Sequence, residues 1–203
     1  MKQKAGVIFL ILLISLPFLL SAQDSNPDVD DWEDFRADTY VRGDQTIIIS
    51  IGTSFPLFFL NDGKTLPMNF TPPVGGAGSF TYNYYLSSNI FLGGEIALQL
   101  MPSIRNDTLF IVPLGIRLGY QFLIGKIEIP ISAGFGMSWQ RFLNSGYYGI
   151  YARGGLGIYY KATTNWSFGL TSNWYWVPQW TNDSSRNVDG NTLDLLLSAR
   201  YHF

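Results

Sequence analysis

The stretch NTLDLLLSARYHF, residues 191–203, decides the fold. From residue 193 onward its odd positions are all apolar, whereas its even positions include Asp194, Arg200 and His202. Successive side chains of a β-strand point to opposite faces, so the stretch predicts a strand with one wholly apolar face and one charged face. This alternation is typical of a strand that crosses a membrane in a closed barrel, with its apolar face toward lipid.

The first 44 residues carry targeting and charge signals. Basic residues precede an apolar run over residues 5–20, and two small residues follow it, so we expect a signal peptide over residues 1–22. An uncleaved anchor is the alternative, although the run is shorter than the ~20 residues of a full span. Residues 23–44 contain eight of the 15 acidic residues, which predicts an acidic periplasmic segment with a solvated first half.

Three aromatic residues interrupt this acidic segment: Trp32, Phe35 and Tyr40. They either rest at the membrane interface or form a short amphipathic element. Such an element would fold back on the barrel mouth or contact a periplasmic partner.

The overall composition suits a membrane barrel. Glycine accounts for 21 residues, aromatics for 16% of the chain and charged residues for only 14%, while cysteine is absent. Glycines fit a narrow interior and aromatics belong at membrane interfaces. The net charge of −2 gives no indication of a nucleic-acid partner, and no cofactor is expected.

Periodic segments recur from residue 45 to the end of the sequence. We expect an all-β fold here, an eight-stranded antiparallel up-and-down transmembrane β-barrel over residues 45–203. Short and longer polar connections alternate, the longer ones over residues 61–73, 102–107, 141–147 and 178–190. This alternation predicts periplasmic termini and longer extracellular loops. The eight segments are residues 45–60, 74–86, 90–101, 109–122, 126–139, 148–161, 165–177 and 191–203.

A soluble barrel of the lipocalin type is the competing architecture. Its interior would be apolar and its exterior polar. The faces opposite the apolar stripes contain glutamate, arginine, glutamine and asparagine, so the membrane assignment places these polar residues inside.

Six charged residues are expected to face the interior. An eight-stranded interior is only wide enough to be filled by side chains, and unpaired charges there would be costly. We therefore predict a salt-bridged plug rather than an open pore, unless strand shear separates the partners and water satisfies them. The expected pairs, judged by height along the strands, are Glu95 with Arg117, Glu128 with Arg200, and Arg153 with Asp194.

Enzymatic chemistry is not expected. The only histidine, His202, lies beside the C-terminus and therefore at the periplasmic rim, away from the outer leaflet. No metal-ligand spacing or phosphate-binding loop occurs in the sequence. We expect neither a catalytic nor a metal site.

Two prolines lie inside predicted strands. Pro113 and Pro130 cannot donate to a strand ladder, and proline is normally confined to edges and bulges. The adjacent fourth and fifth strands are therefore expected to be weakly paired on one side, with a lateral opening from the lumen toward lipid. A local bulge explains the same residues.

The signal peptide, strand number, loop alternation and terminal LSARYHF resemble the small eight-stranded outer-membrane barrels, which include OmpW-type, OmpX-type and OmpA membrane-domain proteins. The resemblance implies that Tyr201 and Phe203 are the signal for the barrel-assembly machinery, and that the barrel lies in outer-membrane lipid. The resemblance to OmpW-type members implies that small hydrophobic solutes pass through a narrow channel or lateral conduit. The alternative is a non-conducting barrel that acts through its extracellular loops in adhesion, or through its acidic tail on a periplasmic partner.

Overall fold

The computed structural model describes residues 40–61, 63–65, 74–102, 108–142, 145–180 and 187–203, which all fall in the compact unit formed by residues 37–203. None of these residues forms a helix long and apolar enough to cross a bilayer. The strands are β1 (Gln45–Asn61), β2 (Lys64–Thr65), β3 (Gly75–Tyr85), β4 (Ile90–Pro102), β5 (Thr108–Ile124), β6 (Ile127–Phe142), β7 (Ser145–Lys161), β8 (Trp166–Gln179) and β9 (Val188–His202).

Eight of these strands close a barrel. Each long strand pairs antiparallel with the next, and β1 also pairs with β9, so the sheet has no free edge along these ladders. The short β2 pairs only with the end of β1. The predicted eight-stranded antiparallel barrel is confirmed.

The strands are staggered around the barrel. A row of paired residues that starts at Ile47 passes through all eight strands and returns to β1 at Phe58, near the other end of the same strand. This shear tilts every strand against the barrel axis. Residues at equal distances from their strand ends therefore lie at different heights in the lumen.

The two faces of the sheet are chemically opposite. Outward side chains such as Ile51 and Leu197 are 72% and 65% exposed, whereas inward Arg200 and Glu128 are 1% and 2% exposed. A soluble barrel would need the reverse distribution. The apolar exterior is instead the surface that lipid would cover.

The connections at the two ends differ. Tight turns at residues 86–89, 125–126 and 162–165 lie at the end that holds the N-terminal side of β1 and the C-terminal side of β9, and Gly125 adopts a positive φ of 59°. The connection predicted over residues 141–147 is shorter than expected, because β6 continues to Phe142 and β7 begins at Ser145. Pairs such as Gln140 with Tyr147 extend this hairpin.

A basic substitution on the exterior should be costly only at mid-membrane depth. Ile116, at the centre of β5, and Ile124, at its end, are 52% and 64% exposed. We expect Ile116→Arg to lower the free energy of unfolding in lipid by about 2–4 kcal/mol, and Ile124→Arg by about 0–1 kcal/mol. Reversible denaturant unfolding in lipid vesicles measures both. Equal costs for the two variants would contradict a bilayer around this strand.

Candidate functional site

The lumen is the candidate site, because it gathers the charged side chains of the barrel. All six predicted interior charges are at least 94% buried. Their formal charges cancel, since three are acidic and three are basic. They are Glu95, Arg117, Glu128, Arg153, Asp194 and Arg200.

The middle layer of the lumen consists of Glu95, Arg117, Arg153 and Asp194. Glu95 Oε2 lies 3.5 Å from Arg117 Nη1 and also forms an ion pair with Arg153 Nη1. Tyr175 donates its hydroxyl hydrogen to the other carboxylate oxygen, Glu95 Oε1, at 2.9 Å. One carboxylate therefore serves two guanidinium groups that come from different strands.

Arg153 was predicted to pair with Asp194, but the structure places it on Glu95. Arg153 Nη2 donates to Asn173 Oδ1 at 3.0 Å, while Asp194 Oδ2 accepts a hydrogen bond from Gln99 Nε2 at 2.9 Å. Arg153 and Asp194 lie at similar heights, but the Arg153 side chain extends across the lumen toward Glu95 on β4 and away from Asp194 on β9.

Below this layer, at the end that holds the tight turns, lies a second cluster, the lumen floor. It consists of Tyr40, Tyr85, Gln121, Glu128, Tyr159 and Arg200. Arg200 Nη1 lies 2.7 Å from Glu128 Oε2 and donates to Gln121 Oε1 at 3.1 Å. The Arg200 guanidinium also stacks over the Tyr159 ring, 3.9 Å from its centroid. Because a buried guanidinium needs both a counter-charge and hydrogen-bond acceptors, this cluster satisfies much of what Arg200 requires.

Tyr40 belongs to the lumen floor although it lies outside every strand. Its ring stacks on Tyr85 with the centroids 3.8 Å apart, and its hydroxyl donates to Glu128 Oε1 at 3.0 Å. Burial raises the pKa of the Tyr40 hydroxyl, so this donor stays protonated. The sequence left open whether the aromatics of the acidic segment fold back on the barrel mouth. Tyr40 does so, while Trp32 and Phe35 lie outside the described residues.

His202 lies at the same end of the barrel, between the Ser167 and Tyr40 hydroxyls. Its Nε2 lies 2.8 Å from Ser167 Oγ, and its Nδ1 lies 3.2 Å from the Tyr40 hydroxyl. The group on Nδ1 is thus a phenol rather than the carboxylate that orients the base in a serine hydrolase. Ser167 is completely buried, so it presents no nucleophile to a substrate. In the described part of the chain, no group of three or more His, Cys, Asp or Glu is arranged to hold a metal ion.

At the opposite end, apolar side chains fill the lumen. This apolar cap was not predicted, although strand parity already placed residues such as Ile111 on the same face as Arg117. Its members come from β1, β4, β5, β7 and β8 and are each at least 93% buried. They are Phe59, Met101, Leu109, Ile111, Tyr151, Tyr175 and Val177.

Pro113 and Pro130 lie in β5 and β6 and leave the pairing of these two strands with each other intact. β5 and β6 pair without interruption from Leu109 with Phe142 to Ile124 with Ile127, so the two strands are not weakly paired with each other. Short gaps appear instead in the flanking β4–β5 and β6–β7 ladders. The reason is that a proline nitrogen has no hydrogen to donate. The nitrogen of Pro113 faces β4 and that of Pro130 faces β7, so the hydrogen bonds are missing in those two ladders.

These gaps are neither bulges nor visible openings. Each ladder resumes in its former register, which excludes the alternative of a bulge at either proline. Both prolines are buried on the lumen side, and by register they lie opposite Ala97 and Gly157. A Cβ added to Gly157 would lie 3.1 Å from Pro130 Cγ, so the proline ring already fills the space beside that glycine.

Comparison with known structures supports the architecture. The fold resembles the crystal structure of Neisserial surface protein A with a TM-score of 0.60 and 10% sequence identity, covering 79% of this chain and 97% of that one. At this identity the likeness concerns the fold alone, so the OmpW-type subset named from the sequence stays a prediction.

Comparison of sequences adds relatives and a family. An uncharacterized protein of Treponema pallidum (strain Nichols) is 30% identical over 131 residues, which cover 64% of this chain and 59% of that protein. An uncharacterized protein of Borreliella burgdorferi is 23% identical over 161 residues, which cover 68% of this chain and 75% of that protein. The chain spans 59% and 55% of the two Treponema pallidum relatives it matches. A protein-family model matches residues 23–201, so this chain belongs to the family that the model defines, and its fold is that of the small eight-stranded outer-membrane β-barrels.

Proposed function

We propose that this protein is an integral outer-membrane barrel with a sealed, non-conducting lumen, and that it acts through the segments at its two ends. Both termini face the periplasm in this proposal, and the connections at the other end face outward. The acidic segment before the barrel then meets a periplasmic partner, and the outer connections serve surface contact or adhesion.

The filling of the lumen is the observation that carries this proposal. The lumen floor, the middle layer and the apolar cap occupy three successive heights between the two ends. Arg200 of the floor, Asp194 of the middle layer and Met101 of the cap are each at most 1% exposed. A conducting pore would need a continuous water-filled path, and these side chains occupy the space where it would run.

The last residues of β9 support a role in assembly. Tyr201 and Phe203 both point outward with their ring centroids 6.0 Å apart, and Phe203 is 53% exposed. The backbone of Phe203 also bonds to that of Gln45 at the seam where β9 meets β1. We propose that these two rings are read by the barrel-assembly machinery while this seam is still open.

The apolar cap favours a second candidate, a conduit for small hydrophobic solutes. Apolar residues at the outer end of a lumen would exclude water and ions but accept an apolar solute if the side chains separate. The described cap is closed by its own packing, so this function requires the cap to open.

Conductance separates the sealed lumen from a pore. We expect the refolded mature chain to show no discrete conductance in planar bilayers. Glu95→Ala or Arg117→Ala, which remove one member of the middle layer, should produce channel events if that layer is part of the seal. Discrete conductance in the unmodified protein would overturn the sealed lumen.

Stability tests whether charge rather than volume holds the middle layer. Glu95→Ala leaves Arg117 and Arg153 without their shared carboxylate, and we expect it to lower the free energy of unfolding by about 3–5 kcal/mol. Glu95→Gln preserves the volume but removes the charge, so most of the loss should remain. Denaturant titration in lipid vesicles measures both, and a Glu95→Gln variant as stable as the parent would rule out this electrostatic account.

Photolabelling tests the conduit. A small apolar diazirine should modify outward Phe110 and Val112 on β5 simply because they face lipid. If the cap opens for apolar solutes, inward Leu109 and Ile111 on the same strand should be labelled as well. Mass spectrometry of the peptides provides the comparison, and labelling confined to the outward pair would exclude the conduit.

A further inference from the structure

The seat of Tyr40 is assembled from three strands that are far apart around the barrel. Tyr85 of β3 supplies the stacking ring, Glu128 of β6 accepts the hydroxyl hydrogen, and Arg200 of β9 lies 3.4 Å from the hydroxyl oxygen. His202 of β9 adds a fourth contact at 3.2 Å. Tyr40 therefore lies across the end of the lumen that holds the start of β1 and the end of β9, here called the terminal end. There it contacts both members of the Glu128–Arg200 ion pair.

A turn outside the barrel ladder brings Tyr40 to this seat. The amide of Asp44 donates to the carbonyl of Val41 at 3.2 Å, and the amide of Val41 donates to the Asp44 carboxylate at 2.9 Å. Gly43 has a φ of 106°, which only glycine adopts without strain, and its amide donates to the carbonyl of Tyr85 at 3.0 Å. The chain thus reverses just before β1, and Tyr40 is held largely by side-chain contacts rather than by a strand.

Space lies directly beside this residue. A cavity of about 320 Å³ opens at the same end of the barrel and is lined partly by Tyr40, Asp44, Asn165 and His202. The Tyr40 ring can therefore leave its seat toward this cavity without the separation of any pair of strands. A residue inside a strand could not be drawn away together with its backbone, because its ladder hydrogen bonds would have to break first.

We propose that Tyr40 is a removable stopper of the lumen floor, and that its docking couples the chain segment before it to the Glu128–Arg200 ion pair. With Tyr40 docked, the floor is covered. When the preceding segment is drawn away, as by a bound periplasmic partner, Tyr40 leaves and water reaches Arg200 and the interior residues beside it. The inference concerns only the terminal end, so it holds whether or not the apolar cap ever opens.

Water access to one buried position tests the stopper. The chain has no cysteine, so Ile48→Cys introduces a single thiol. Ile48 points inward, is 3% exposed and pairs with Arg200 across the β1–β9 seam, at the level of the floor. The barrel is reconstituted in vesicles that leave the terminal end accessible, and the rate of modification by a water-soluble maleimide is measured.

We expect two substitutions of Tyr40 to raise the labelling rate of the Ile48→Cys thiol by different amounts. Tyr40→Phe keeps the stacked ring but loses the hydrogen bond of its hydroxyl to the Glu128 carboxylate, so labelling should be at least about tenfold faster. Tyr40→Ala also loses the stack, and labelling should be faster still. Unchanged labelling in Tyr40→Ala, with the barrel still folded by its gel mobility before and after heating, would overturn the proposal.

A thiol in the apolar cap distinguishes a stopper of the lumen floor from a residue that stabilises the whole barrel. Ile111→Cys places the thiol in the apolar cap, where the parent residue is 2% exposed. Its labelling rate should not change when Tyr40 is replaced. If both thiols become reactive together in Tyr40→Ala, the residue stabilises the whole barrel and the stopper proposal is wrong.

Discussion

The ladder between β1 and β9 is the constraint on which the rest of this structure depends. In hydrocarbon no water can satisfy a free backbone amide or carbonyl, so a sheet survives there only if its two edges meet. Here they meet from Thr46 opposite His202 to Leu60 opposite Asp189, with one register shift between Pro56 and Phe58. Closure with only eight strands leaves a narrow interior, and the choice of inward side chains follows from that limited space.

Within this space, charge and volume are arranged together. In the middle layer Glu95 meets two arginines and Asp194 supplies a second negative charge at nearly the same height, while Glu128 lies in the floor. Glycines on neighbouring strands make room for the large side chains. A Cβ at Gly136 would lie 2.9 Å from the Tyr151 ring, and one at Gly134 would lie 3.1 Å from Arg153 Cγ. Small residues are thus as necessary to the filled lumen as the charged residues are.

Alternation along each strand is a local property, so the sequence revealed the strands, their faces and the buried charges. The direction in which a long side chain extends across the lumen is a property of the closed barrel, and no local pattern encodes it, which is why Arg153 was assigned to the wrong carboxylate. The prolines show a related limit: the sequence reveals a missing donor but not which neighbour loses the bond. Tyr40 lies outside any periodic segment, so its place in the floor depends on contacts that only the folded barrel provides.

The composition of the Tyr40 seat has a consequence for the order of assembly. Its ring and hydroxyl contact β3, β6 and β9, and β9 is the final strand of the chain. The seat therefore does not exist until the last strand has joined the first. Tyr40 can therefore occupy this seat only in a completed barrel, although it comes before the first strand in the chain.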